Sequence, residues 1–162
     1  MLKLNIDAAV RVNGCRLGWC LRDDRGNFVA TATRSWPGKL SPLGAEMIGI
    51  REALSWVKER GWTHIEVETD SFRAITEILH GSSCSSIGLV SNDIKDLAKK
   101  FSISICHVLR SANKIAHAIA RVACSLFDLC SCIYYPPFIV SVLANDLLND
   151  KFPSCKKQKQ KT

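Results

Sequence analysis

His64-Ile65-Glu66-Val67-Glu68-Thr69-Asp70-Ser71 reads as a short strand that ends on an acid and runs into a helix. Ile65, Val67 and Thr69 share one side at the two-residue period of a strand. Asp70-Ser71 then opens a helical spacing that carries Phe72, Ile75 and Leu79. The stretch follows a helix rather than a hairpin. Ser41-Pro42 supplies a capping hydroxyl and a first-turn proline. Leu43, Met47, Ile50, Leu54 and Val57 form an apolar stripe at spacings of three and four, and Gly61 ends it. A strand reached through a helical crossover runs parallel to an earlier strand of its sheet. The fold class is therefore α/β.

The segments on either side fit. Leu2, Leu4 and Ile6 alternate with Lys3, Asn5 and Asp7. Leu17 to Arg22 and Phe28 to Ala32 flank the turn Asp23-Asp24-Arg25-Gly26-Asn27, which marks a hairpin. The chain thus opens as an antiparallel meander of three strands. After the Gly81-Ser82-Ser83 and Ser85-Ser86 loop, residues 87–100 are predicted helical, with Leu89, Val90, Ile94 and Leu97 spaced for packing. Ser102 to Val108 alternates as a strand. Ala112 to Leu126 is predicted helical on Ile115, Ile119, Val122 and Leu126. The later strands should lie parallel to the first, with Asp7 and Asp70 at neighbouring strand ends, where open α/β sheets build their sites.

Three acids stand out. Asp7 and Asp70 end strand-like alternations, and Glu46 lies on the apolar stripe of its helix, whereas Glu52, Lys58, Glu59 and Arg60 fall on the wetter side. Acids seldom face a core unless something cationic waits there. Converging carboxylates point to a divalent-metal site, of a kind that commonly handles phosphate esters.

The net charge of +7 and pI near 9.1 favour a polyanionic partner, nucleic acid first. Four of those charges, Lys156, Lys157, Lys159 and Lys161, sit in a Lys/Gln-rich tail expected to be disordered. Eight cysteines accompany an N-terminus without the apolar core of a signal peptide. Free thiols in a reducing, intracellular compartment, nucleus or cytoplasm, are the expectation. Cys124, Cys130 and Cys132 are poorly spaced for zinc. Val122 to Ala144 is apolar, but Asp128 and Pro136-Pro137 interrupt it, which argues against a membrane span. It reads as the end of a helix, a turn and a short amphipathic segment.

Lys3-Leu4-Asn5-Ile6-Asp7-Ala8-Ala9, Gly18-Trp19-Cys20-Leu21-Arg22-Asp23, Ala45-Glu46 through Arg51-Glu52-Ala53-Leu54, Val67-Glu68-Thr69-Asp70-Ser71, and His107-Val108-Leu109-Arg110-Ser111-Ala112-Asn113 through Ala116-His117-Ala118-Ile119-Ala120 occur in a telling order. With these motifs the chain resembles the ribonuclease H domain. It is most similar to the plant version found at the end of non-LTR retroelement reverse transcriptases and as stand-alone genes. The resemblance implies a ribonuclease H-like fold with a five-stranded mixed sheet, three strands in an antiparallel meander and two parallel, flanked by helices. It covers residues 3 to about 125, so 1–126 is expected to be the ribonuclease H-like domain, and composition marks 127–150 as an apolar extension and 151–162 as the basic tail.

The resemblance further implies an endonuclease that cuts the RNA strand of an RNA–DNA hybrid with two Mg²⁺ ions about 4 Å apart. Asp7 would bridge them, and Glu46 and Asp70 would complete their shells. Active members usually carry a fourth carboxylate on the last helix, and His117 stands there. Imidazole is a poorer Mg²⁺ ligand, though Mn²⁺ tolerates it better. Where some members have a histidine three residues before the asparagine, this chain has Arg110. Arg110, Asn113 and Lys114 are the expected nucleic-acid contacts.

Plainer readings stand beside these. Asp70 is also placed as a helix N-cap, and Asp7 as a strand-end residue facing water. His117 either rims the cleft or meets solvent. Arg110, Lys114 and Arg121 fit a phosphate grip or a solvated helix face. Trp19 and Trp56 are expected in the core, and His107 is expected to be structural. The competing functions are a catalytically weak or inactive nucleic-acid-binding module and a retroelement-derived remnant.

Overall fold

The computed structural model describes residues 1–81, 84–122, 130–133 and 140. β1 (Leu2–Arg11), β2 (Gly14–Arg22) and β3 (Phe28–Pro37) form the meander. α1 (Pro42–Glu59), β4 (Ile65–Thr69), α2 (Phe72–His80), α3 (Ser86–Lys100), β5 (Ser104–His107), α4 (Lys114–Val122) and β6 (Cys130–Cys132) follow, with a 3-10 turn at Arg110–Ala112. The sheet order is β5-β4-β1-β2-β3-β6. β4 pairs parallel with β1 and β5 parallel with β4, while β1–β2, β2–β3 and β3–β6 are antiparallel.

The expected mixed sheet is present with one strand more than expected. β6 lies in the stretch read as a helix end and turn. Its three residues pair with Thr31 to Thr33, and the Ser131 hydroxyl accepts from Trp56 Nε1 at 3.3 Å and Arg60 Nη2 at 3.0 Å. A three-residue strand is too short to betray itself by alternation, and its pairing partner is some hundred residues away. The expected continuation of α4 to Leu126, the Ser82-Ser83 loop residues, the rest of the 127–150 stretch apart from residues 130–133 and Val140, and the tail lie outside the described residues. No helix among the described residues is long and apolar enough to cross a membrane.

The main core lies between the sheet and α1. Leu4, Ile6, Leu17, Trp19 and Leu21 from the strands meet Met47, Ile50, Leu54 and Val57. Trp19 and Trp56 pack edge to face at 6.1 Å, as core residues. The first turn of α1 is closed by Ser41 Oγ, which accepts from Gly44 N at 3.0 Å. Four side-chain expectations are corrected. Phe72 and Leu79 on α2 and Leu89 on α3 are 66 %, 61 % and 63 % exposed. On α2 the buried face centres on Ala74 and Ile78 instead. Glu52 is buried rather than wet, because the Arg34 and Arg51 guanidinium groups both bond its carboxylate.

α4 covers the other side of β1 and β2. Ile115 and Ile119 pack on Cys20, and the helix backbone presses directly on Gly18. A Cβ there would stand 2.4 Å from the Ala120 nitrogen and 2.8 Å from its Cα. These are backbone atoms, so only a shift of the whole helix relieves them. Gly18→Ala should therefore lower the melting temperature by roughly 10 °C, from an overpacking cost of about 2–3 kcal/mol. Thermal circular dichroism checks this, and an unchanged melt would show that α4 has room to spare.

Candidate active site

The parallel pairing of β1 with β4 ends at Ile6 and Thr69. Asp7 and Asp70 are the next residues on the two strands, so the sheet topology sets their carboxylates side by side. Asp7 lies mid-strand, not at a strand end as expected, because β1 continues to Arg11 in its pairing with β2. Glu46 reaches the same place from α1. Gly49, one turn further along, faces Ile6 and Leu17, so this side of the helix lies over the middle of β1. His117 comes from the first turn of α4, and its Nδ1 is 2.7 Å from Asp7 Oδ2.

Asp7, Glu46, Asp70 and His117 all line one open cleft, together with Ala8, Pro42, Leu43, Ser71, Arg73 and Arg110. The two alternatives for His117 are thereby resolved: it rims the cleft. Ser71, not Asp70, caps α2, its Oγ accepting from Ala74 N at 3.3 Å. Asp70 is left to face the cleft, where Asn113 Nδ2 donates to its Oδ1 at 3.0 Å and Arg110 Nε lies 3.9 Å from its Oδ2.

Asp7, Glu46 and Asp70 make the pocket rich in carboxylates, with Arg73 and Arg110 also among its lining residues. Glu46 is pushed up to about 8, first by burial and then by the charges of Asp7 and Asp70, with the Ala8 amide working the other way. Asp7 is also raised, chiefly by burial, while its hydrogen bond to His117 opposes the rise. Glu46 Oε2 is buried with no hydrogen-bond partner. A buried carboxylate oxygen without a donor is costly. Glu46, buried with an orphaned oxygen and with its charged form disfavoured by the neighbouring Asp7 and Asp70 carboxylates, completes a donor set suited to a hard divalent cation.

A second group of donors is a poorer candidate. Glu66, Glu68 and Cys106 bring one ligand atom each within 4.8 Å of one another. Lys3 Nζ already sits 2.9 Å from Glu68 and 3.9 Å from Glu66, supplying the cation from within the chain.

The expected nucleic-acid residues divide. Arg110 is exposed and lines the cleft, and Lys114 is exposed at the start of α4. Asn113 is 1 % exposed and sits under the cleft floor, its amide bonded to Ile6 O and Asp70. A direct contact with a bound strand is therefore withdrawn for Asn113. Arg73 lines the cleft and was not singled out from the sequence. The signal available was its place in the first turn after Asp70-Ser71. His107 stacks edge to face on Phe72 at 5.6 Å.

Comparison with known proteins agrees with this fold. The family described as reverse transcriptase-like matches residues 5–123. No curated protein sequence matches the chain. RNase H1 of the halophilic archaeon Halobacterium salinarum superposes with a TM-score of 0.67 at 25 % identity, over 75 % of this chain and 96 % of that one. The N-terminal RNase H domain of a Mycobacterium tuberculosis protein gives 0.64 at 20 %, over 75 % and 91 %. LC11-RNase H1, isolated from compost and solved in complex with an RNA/DNA hybrid, gives 0.64 at 16 %, over 75 % and 94 %. With a family match that runs from Asn5 in β1 through the cleft acids to the end of α4, the chain belongs to the reverse transcriptase-like family and carries an RNase H-like domain.

Proposed function

We propose that the cleft hydrolyses the RNA strand of RNA–DNA hybrids with bound divalent metal, two Mg²⁺ ions or Mn²⁺ in their place. The observation that carries this reading is the orphaned, buried Glu46 Oε2 among the carboxylates of Asp7 and Asp70. Asp7, Glu46 and Asp70 would hold the metal, with His117 at the fourth position. When bound, such ions supply an activated water and stabilise the departing oxygen of an in-line displacement.

The chain's own residues have distinct tasks. Asp7 joins the two sides of the site, its charge acting on Glu46 and its carboxylate hydrogen-bonded to His117. Because an ionised Asp7 only accepts, His117 Nδ1 carries the proton in that bond. Arg73 and Arg110 are exposed cations lining the cleft, and Lys114 is an exposed cation in the first turn of α4, the helix that carries His117. They would attract phosphates without reading sequence, and binding should weaken steeply with salt. The hybrid as substrate is carried over from the solved complex of LC11-RNase H1. The motif order supports descent from a plant non-LTR retroelement.

One observation favours a second reading, a binding module with little turnover. The 2.7 Å His117–Asp7 bond occupies a carboxylate oxygen that an active site would give to metal. The two readings separate with a hybrid labelled on its RNA strand, in Mg²⁺ and in Mn²⁺. The chain should cut the RNA strand, faster in Mn²⁺. His117→Asp should raise the Mg²⁺ rate by about tenfold or more, equivalent to about 1.4 kcal/mol of barrier. Hybrid binding with no cleavage by either protein would establish the binding module and end the nuclease reading.

A further inference from the structure

Beneath the cleft lies a set of polar side chains that no proposed step uses. Asn5 is fully buried, Asn113 is 1 % exposed, Glu68 4 % and Arg22 6 %. Groups hidden this deeply are costly unless their hydrogen bonds are complete. Here they join into a line that ends on Asp70. Arg22 Nε and Nη2 donate to Asn5 Oδ1 at 3.2 and 2.8 Å. Asn5 Nδ2 donates to Glu68 Oε2 at 2.8 Å and to Asn113 Oδ1 at 3.3 Å. Asn113 Nδ2 donates to Ile6 O at 2.8 Å and to Asp70 Oδ1 at 3.0 Å.

The line has a direction. Asn5 lies between a cation on its oxygen side and an anion on its nitrogen side, so charge fixes the orientation of its amide. Turned over, it would set NH₂ against guanidinium and oxygen against carboxylate in a buried setting. Lys3 reinforces this by donating to the other Glu68 oxygen at 2.9 Å, which leaves Oε2 to Asn5. With its NH₂ so aimed, Asn5 offers Asn113 a donor, and Asn113 must meet it with its carbonyl. The Asn113 NH₂ is then left for Ile6 O and Asp70.

We infer that Asn5 is a positioning residue for Asp70, acting through Asn113, whose amide it orients so that a donor faces the Asp70 carboxylate. A reversed Asn113 would place a carbonyl oxygen against two acceptors, Asp70 Oδ1 and Ile6 O. The consequence for metal rests on the reading of Asp70 as a ligand proposed above. Partners that orient a ligand from behind typically change metal affinity by about 10–100-fold when removed.

Asn5→Asp is the test, because it keeps size and the acceptor toward Arg22 but loses the NH₂. The dissociation constant for Mn²⁺, measured by calorimetry, should rise about tenfold. In metal-free protein the Asn113 side-chain NH₂ resonances, assigned by their loss in Asn113→Ala, should move. In an Asn113→Ala background Asn5→Asp should change Mn²⁺ affinity less than about twofold, since the intermediary is already gone. If Asn5→Asp lacks the parent's circular dichroism, Asn5→Ser, shorter and without an amide, takes its place. Unmoved resonances with unchanged affinity would overturn the inference, as would an equal loss in both backgrounds. If the parent chain bound no Mn²⁺, the metal reading would fall, and the Asn113 resonances alone would decide whether Asn5 orients it.

Discussion

Asp7→Asn should abolish hybrid cleavage, by about a thousandfold or more, and leave the protein folded. Of the three acids, Asp7 has the most ties to the others. Its charge raises Glu46, Asp70 acts on it in turn, and it bonds His117. Asparagine keeps the shape and still offers an oxygen to His117 Nδ1–H, but it removes the charge that would hold cations. A thousandfold loss corresponds to about 4 kcal/mol of barrier, within reach of losing one charged ligand as buried as Asp7. The fold should not suffer. Burial already disfavours the ionised form of Asp7, so a neutral amide removes an unfavourable charge. Single-turnover cleavage alongside thermal melting checks both halves. Cleavage at the parent's rate would remove the cleft from the chemistry, and loss of the native spectrum would make Asp7 a structural residue.

Parts of this arrangement were visible in the amino-acid order, and the reason differs from part to part. Asp70 ends an alternating run that follows a helix, so its strand had to be parallel, and the sheet rule put it beside Asp7. Glu46 betrayed itself by interrupting an apolar stripe. In each case the signal is local, within about one turn or one strand. Asn5 and Glu68 were invisible for the opposite reason. Alternation in β1 and β4 shows that they share the face opposite Leu4 and Val67, which reads as wet. That face is buried by its own polar contacts and by α4, more than a hundred residues along from Asn5. Glu52 failed likewise: its helical position is a wet one, and only β3 folding back brings Arg34 to it. β6 is three residues long and has no pattern to read. Long-range pairing of polar groups is what a single sequence hides.

Glu46 carries the last expected result, a folded state that loses stability as the pH rises when metal is withheld. Its folded value of about 8 lies above the ordinary 4.5. An acid raised in this way binds its proton more tightly folded than unfolded. Between about pH 4.5 and 8 the folded state therefore holds more protons, and stability falls as pH climbs through that window. The slope is at most about 1.4 kcal/mol per pH unit. Since Asp7 and Glu46 share the effect, a total on the order of 3 kcal/mol is the expectation rather than the full sum. Urea unfolding in EDTA at about pH 5 and about pH 8 measures it. Excess Mg²⁺ at the higher pH should restore about 2.7 kcal/mol at a hundred times its dissociation constant. Glu46→Gln should flatten the pH dependence, be more stable than the parent at pH 8 in EDTA, and respond little to Mg²⁺. A parent whose stability is flat with pH would mean that Glu46 keeps its charge without cost, and a Glu46→Gln variant that still gains from Mg²⁺ would mean that the cation sits elsewhere. Both results together would leave an RNase H-like fold whose cleft has no use for metal, because the strain among its acids is the reason to expect a cation there.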